Sequence, residues 1–108
     1  MDWEKATRIA YAIGKSRLVE LRLDFFRKAA DYARIRVDWQ LMTPGERTAM
    51  DAARTASHDA FIEACDMLCR CMEEEKEDIS WRQDLGYDRK EIGDFACYLQ
   101  LILGLVAR

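Results

Sequence analysis

The fold is decided by residues 2–41, DWEKATRIAYAIGKSRLVELRLDFFRKAADYARIRVDWQL. Apolar residues recur there at helical spacing in two neighbouring rows, and no proline interrupts them. This pattern predicts one long helix whose broad apolar face contacts more than one neighbour. The first row is Trp3, Ala6, Ala10, Ile13, Leu18, Leu21, Phe25, Ala29, Tyr32, Ile35 and Trp39, and the second row is Val19, Leu23, Phe26, Ala30, Ala33 and Val37.

Capping residues mark the start of the first two helices. Asp2 is a suitable N-cap for the first helix. Thr43-Pro44-Gly45-Glu46 places a threonine at the cap, a proline at the first helical position and a glutamate three residues after the cap. We therefore expect a second helix from Pro44 to about Lys76, antiparallel to the first because the connecting turn is short.

The C-terminal third of the chain predicts one helical turn and a last helix. Ser80 and Gln83 have capping-box spacing, and Asp88 and Glu91 repeat it. The last helix is expected from about Arg89 to Val106, with an apolar face that points inward as far as Val106. The predicted fold is all-α, a single domain over residues 1–108: a long antiparallel helical hairpin plus a shorter C-terminal helix, forming a three-helix bundle.

A difference in helix length leads to a prediction about oligomeric state. The three predicted helices would be about 60, 50 and 27 Å long, so the last could cover only about half of the hairpin. We expect a homodimer in which the uncovered arms complete a four-helix arrangement. The alternative is a bent first helix, or a last helix that crosses the arm. The expected interface residues are Phe25, Tyr32, Ile35, Trp39, Met50 and Ala53.

Composition indicates a globular cytoplasmic protein. The chain has 108 residues, half of them hydrophobic, and a net charge of −3. Residues 1–4 lack the features of a signal peptide, and the apolar run Phe95–Ala107 is too short to span a bilayer. The four cysteines are expected to be reduced, mostly buried thiols.

The residues that could carry chemistry form no recognisable catalytic motif. Cys65, Cys69 and Cys71 lie in mid-helix, whereas structural zinc sites usually set cysteine pairs around a turn. His58 is the single histidine; His58-Asp59 could act as an acid–base pair, but such a histidine is more often a surface residue. We therefore expect no enzyme activity, no metal and no cofactor, with a thiol or metal sensor as an alternative.

Two features bear on partners. Trp81 in the short turn is a candidate contact for a protein partner, and the alternative is a lid on the core. The turn and the helix at Arg89 distantly resemble a helix-turn-helix. However, the chain is acidic and its arginines are mixed with carboxylates, which argues against nucleic-acid binding.

Three stretches carry a resemblance to a known group of proteins. They are His58–Cys65 (HDAFIEAC), Asp78–Arg82 (DISWR) and Asp88–Leu99 (DRKEIGDFACYL). Together they resemble small uncharacterised helical proteins encoded on mobile elements of Gram-positive gut bacteria. The resemblance covers most of the chain and implies an accessory or regulatory role, and it brings no activity or site residue.

The sequence thus favours a small cytoplasmic protein-protein interaction or regulatory protein without catalytic activity. Its expected partners are a second copy of itself and another protein, and no membrane association is expected. The alternative is a DNA-associated accessory regulator of a mobile genetic element, which a salt-sensitive gel shift would reveal.

Overall fold

The computed structural model describes residues 1–106, and the side chains of residues 1–104. The fold is all-α, as predicted, and the described residues contain no strand. The expected inward orientation of Val106, and Ala107 at the end of the apolar run, lie outside the described side chains. The helices are α1 (Trp3–Gly14), α2 (Val19–Gln40), α3 (Pro44–Glu74), α4 (Ser80–Leu85) and α5 (Arg89–Val106).

The first long helix is not continuous, which corrects the prediction for residues 2–41. α1 ends at Gly14, and α2 begins at Val19 with the chain turned between them. The guanidinium of Arg22 donates to the carbonyl oxygens of Gly14 (3.0 Å) and Ser16 (2.6 Å). The bond to Gly14 satisfies a carbonyl group that the end of α1 leaves without a partner, and the bond to Ser16 ties α2 to the turn.

A carboxylate from a distant part of the sequence also binds to the junction between α1 and α2, residues 15–18. Glu77 accepts hydrogen bonds from the Ser16 hydroxyl (2.7 Å) and from the backbone N–H of Arg17 (2.9 Å). Glu77 can reach the junction because Lys76, just after α3, takes a left-handed backbone conformation with φ of 61°. The break in the helix is therefore stabilised by a residue some 60 positions away in sequence.

The remaining helix boundaries agree with the sequence prediction to within two residues. One predicted N-cap, Ser80, does not form. The carboxylate of Asp2 accepts from the backbone of Lys5 at 2.8 Å, and Thr43 and Glu46 form the expected reciprocal capping box. Ser80 is not an N-cap, because Asp78 accepts hydrogen bonds from both its backbone N–H (2.9 Å) and its hydroxyl (3.1 Å).

The break changes which helices meet. α2 packs against α3 as the predicted antiparallel hairpin, but α1 packs against α4 and α5 instead of extending the hairpin. α5 contacts both α1 and α2, so the last helix crosses the part of the hairpin that the sequence prediction left uncovered. The prediction of dimerisation assumed one continuous first helix of about 60 Å. The structure has two shorter helices, α1 and α2, in its place. Dimerisation remains a prediction that needs another basis.

The core is centred on Phe25. Its ring lies 5.2 Å from Phe61 of α3, 6.2 Å from Trp81 of α4 and 6.4 Å from Phe95 of α5, measured between ring centroids. All four side chains are fully buried. Aromatic side chains bury large areas and prefer such tilted and edge-on contacts, so this cluster joins four helices at one point.

No helix in residues 1–106 is long and apolar enough to cross a bilayer.

Gly86 provides a first test of the fold. It ends α4 with φ of 74° and ψ of −169°, a region that only glycine adopts without strain. We expect Gly86→Ala to reduce the free energy of unfolding by about 1–3 kcal/mol. Denaturation by urea, followed by circular dichroism, measures this change.

Gly45 is the matched control for Gly86. It lies in the first turn of α3, and a Cβ added there would meet open space. Gly45→Ala should leave stability unchanged or raise it by up to about 1 kcal/mol. Equal unfolding midpoints for the two variants would contradict the assigned role of Gly86.

Glu77 provides a test of the junction. Hydrogen bonds from the backbone of Arg17 and the side chain of Ser16 hold the pKa of Glu77 below its ordinary value. A carboxyl group with a lowered folded-state pKa stabilises the fold above its unfolded pKa, about 4.3, and this contribution is lost as pH falls through the folded pKa. We expect Glu77→Gln to lower the melting temperature at pH 7 and to reduce the loss of stability below about pH 4.3.

The matched control is Glu75→Gln, an exposed glutamate at the end of the same helix. Its melting curve should follow that of the unmodified protein at both pH values. If Glu75→Gln and Glu77→Gln shift the melting temperature equally, Glu77 has no special role at the junction.

Candidate interaction surface

The six residues that the sequence predicts for an interface do not form one exposed patch. Phe25 and Tyr32 are core residues, with 0% and 3% of their surface exposed. This corrects the expectation that they lie uncovered, because Phe61 of α3 packs against both rings and α4 and α5 also contact Phe25. Ile35 lies at a groove between α2 and α3, lined also by Lys28, Asp31 and the small residues of α3.

The other three expected residues lie towards the far end of the hairpin. Trp39 is half-buried because the Arg54 guanidinium lies 3.9 Å from the centroid of its ring, and Arg47 donates to its carbonyl oxygen at 2.9 Å. Met50 is half-buried and Ala53 is exposed on α3. The face of Trp39 is thus covered by two arginines of its own chain.

Trp81 is a lid on the core and not an exposed partner contact. Only 1% of its surface is exposed, and its ring meets Phe25 edge-on. The neighbouring Arg82 is also buried, where it donates to the carbonyl oxygen of Gly86 (2.8 Å) and lies 4.2 Å from the ring of Tyr87. The short helix α4 therefore closes one end of the core.

A different set of apolar residues is left exposed along α2. Val19, Leu23 and Val37 are each about half exposed (48%, 47% and 53%), and Leu41, directly after the helix, is 82% exposed. Ala30 lies midway between them on the same side of the helix. These residues belong mainly to the second apolar row, which the sequence predicts to be part of a broad apolar face that contacts more than one neighbour.

α5 extends this apolar area. Leu101 of α5 is 61% exposed and lines a groove of about 380 Å³ with Ala30, Val37 and Cys97. A second groove of about 470 Å³ lies where Phe26 meets the last turns of α5 and the end of α1. We use the term α2–α5 surface for Val19, Leu23, Ala30, Val37, Leu41 and Leu101.

The α2–α5 surface has one charged border. Arg36 forms an ion pair with Asp94 of α5 at 2.8 Å, which places α5 on the Arg36 side of α2. At about 100° per residue, Arg27 projects from the opposite side of the apolar row, whereas Arg34 lines the same groove as Leu101. Asp31 lies on the Arg27 side, at the groove between α2 and α3, and Asp38 lines the groove with Leu101. The surface is thus an apolar strip with a helix on one side and mixed charge on the other.

Apart from Cys97, which lines the groove beside Leu101, the residues considered for chemistry lie away from this surface or are inaccessible. His58 is in contact with Asp59 (Nδ1 to Oδ1, 3.3 Å) and packs edge-on against Tyr32. Cys65 is buried, and burial raises the pKa of its thiol to about 12. Within residues 1–106, no three His, Cys, Asp or Glu side chains converge to hold a metal ion.

Comparison of the chain with protein-family models, with curated proteins and with solved structures finds no match. The resemblance to proteins of mobile elements therefore remains a prediction from the sequence.

The buried thiol gives a prediction about reactivity. With a pKa of about 12, roughly one Cys65 side chain in 10,000 is a thiolate at pH 8, and only the thiolate reacts rapidly with alkylating reagents. We expect iodoacetamide to modify Cys65 last, after Cys69, Cys71 and Cys97. Peptide mass spectrometry of samples quenched over time measures this order.

Urea at a concentration that unfolds the chain is the control, since it should make all four cysteines react at similar rates. Rapid modification of Cys65 in the folded protein would show that its thiol is accessible, and would restore the thiol sensor as a candidate function.

Proposed function

We propose that this chain is a small protein-protein interaction or regulatory protein that acts as a homodimer and carries out no catalysis. In this proposal the second copy binds at the α2–α5 surface. The observation that supports it is the exposed apolar strip of α2, which remains after the chain has enclosed its own core. The proposal keeps the homodimer expected from the sequence but moves its interface to the other apolar row.

The continuity of the strip distinguishes it from ordinary surface composition. Single exposed apolar residues are normal on soluble proteins, but a connected patch rimmed by polar residues is typical of an interaction site. Leu23 and Val37 lie on one face of α2, and Leu101 lines a groove with Ala30 and Val37. The charged border of Arg27 and Arg34 supplies the polar rim.

The dimensions of the strip suit a dimer contact. α2 has 22 residues and is therefore about 33 Å long, and with α5 alongside the strip is about 20 Å wide. Its projected area is roughly 600 Å², against about 800 Å² of accessible surface per partner in a standard stable interface. Such a contact would be modest in size and would depend on the apolar side chains at its centre.

Val37 provides the test of this proposal. Its side chain is 53% exposed, so Val37→Glu should leave the monomer folded. In a dimer through the α2–α5 surface the substitution would bury one unpaired carboxylate from each copy, which we expect to weaken self-association by at least about tenfold. Light scattering during size-exclusion chromatography should change from twice the 12.6 kDa mass of one chain towards that mass.

The matched control is Met67→Glu, because Met67 is an exposed apolar residue of α3 outside the α2–α5 surface. This variant should keep the mass of the unmodified protein. A monomeric mass for the unmodified chain at micromolar concentration would refute the homodimer. A dimer that tolerates Val37→Glu would refute this interface.

A further inference from the structure

The exposed apolar residues of α2 are arranged symmetrically about one alanine, and we propose that they specify the register of the dimer. In this register two copies of α2 pack antiparallel, with the two-fold axis at Ala30. The inference rests on the proposed homodimer and adds which residues meet. It is carried by the spacing, the exposure and the surroundings of the strip.

The spacing is the same in both directions from Ala30. Leu23 and Val37 lie seven residues before and after it, and Val19 and Leu41 lie eleven residues before and after it. In an antiparallel pair related by a two-fold axis at Ala30, residue i lies level with residue 60 − i of the second copy. Leu23 therefore meets Val37 of the second copy, and Val19 meets Leu41 of the second copy.

The size of the central residue suits close contact of the two helices. Helices pack with axes about 8–10 Å apart, and the shorter distances need small side chains at the crossing point. Ala30 is such a residue, and the larger side chains of Leu23 and Val37 lie about 10 Å to either side along the axis. Each large exposed residue of α2 thereby gains an apolar partner of the second copy.

The charged border favours the antiparallel arrangement over a parallel one. In an antiparallel pair each flank of a helix faces the same flank of the second copy, so α5 faces α5 and the charged borders face each other at the rim. In a parallel pair each flank faces the opposite flank, which would place Arg27 against the apolar Leu101 of the second copy. Burying unpaired charges against apolar groups is strongly unfavourable.

The border itself carries both signs, so it can face its own copy. In the proposed register Arg34 comes within two residues of level with Asp24 of the second copy, and Arg27 within two residues of Asp31. Arg27 also comes within one residue of level with Arg34 of the second copy, so attraction and repulsion largely cancel. Exposed charge pairs contribute little in any case, which leaves the apolar strip to set the register.

Disulfide cross-linking tests the register. The background variant carries Cys69→Ser, Cys71→Ser and Cys97→Ala and keeps the buried Cys65, and circular dichroism verifies its fold. In this background we expect Ala30→Cys to form a disulfide between two copies on mild oxidation, because a disulfide needs Cα atoms about 4.4–6.8 Å apart. The covalent mass on a non-reducing gel should double.

Two further variants distinguish the antiparallel from the parallel arrangement. Val19→Cys alone and Leu41→Cys alone should not cross-link, because equivalent residues would lie about 33 Å apart along the helix axis. An equimolar mixture of the two variants should give the cross-linked product. These positions are level in the proposed register, so the mixture is the positive control for reactivity.

The outcomes separate this inference from the proposed function. A dimeric mass together with cross-linking of Val19→Cys to itself would overturn the antiparallel register and leave the homodimer in place. A dimeric mass without cross-linking of Ala30→Cys would exclude an axis at Ala30. A monomeric mass for the reduced background variant and for the unmodified chain would overturn both.

Discussion

The contact of Phe25 with three other aromatic rings is the constraint on which the rest of this structure depends. Phe61, Trp81 and Phe95 come from three different helices, and each meets the ring of Phe25. The cluster fixes the rotation of α2 about its own axis, because one face of the helix must point into it. Once Phe25 is buried, the row that contains Leu23 and Val37 is directed outward. The exposed strip follows from how the core is filled.

The aromatic contacts of Phe25 also account for the short connections that join α3 to α4 and α4 to α5. Trp81 must reach Phe25 from a helix of only six residues, and the buried Arg82 holds that helix by bonding to the carbonyl of Gly86. α5 then returns across α2, where Arg36 and Asp94 form an ion pair. Gly93 permits this approach, because a Cβ there would lie 2.8 Å from the Arg36 guanidinium. One side of the apolar strip is thereby covered, and the other stays open.

The parts of the fold that the sequence predicts well are those set by neighbouring residues. Thr43 and Glu46 form their capping box within one turn, so the start of α3 can be read directly from the sequence. The break between α1 and α2 could not be read in this way, since it depends on Glu77 reaching Ser16 from the far end of α3. A glycine at position 14 followed by Ser16 was the available local sign, and it is compatible with a continuous helix.

That one error determined which residues were chosen for the interface. A continuous first helix leaves Phe25 and Tyr32 uncovered, whereas with the broken helix α5 packs against α2 and contacts Phe25, and both residues are buried. The second apolar row was present in the sequence, but nothing in periodicity alone says which of two rows faces the core. The choice is made by the aromatic cluster, whose members are far apart in the chain.

The junction and the strip are therefore physically connected. Arg22 is the fourth residue of α2 and bonds to the carbonyl oxygens of Gly14 and Ser16, so it fixes where α2 begins. Val19 is the first residue of α2 and also the first residue of the exposed strip. In a continuous helix the first apolar row would have continued from α2 towards the N-terminus, past the position of Val19. The apolar strip begins at Val19 because α1 ends at Gly14 and α2 starts as a separate helix. It ends at Leu41, directly after the last turn of α2. Both ends of the strip are thus set by where α2 starts and stops, and its centre by the small side chain of Ala30.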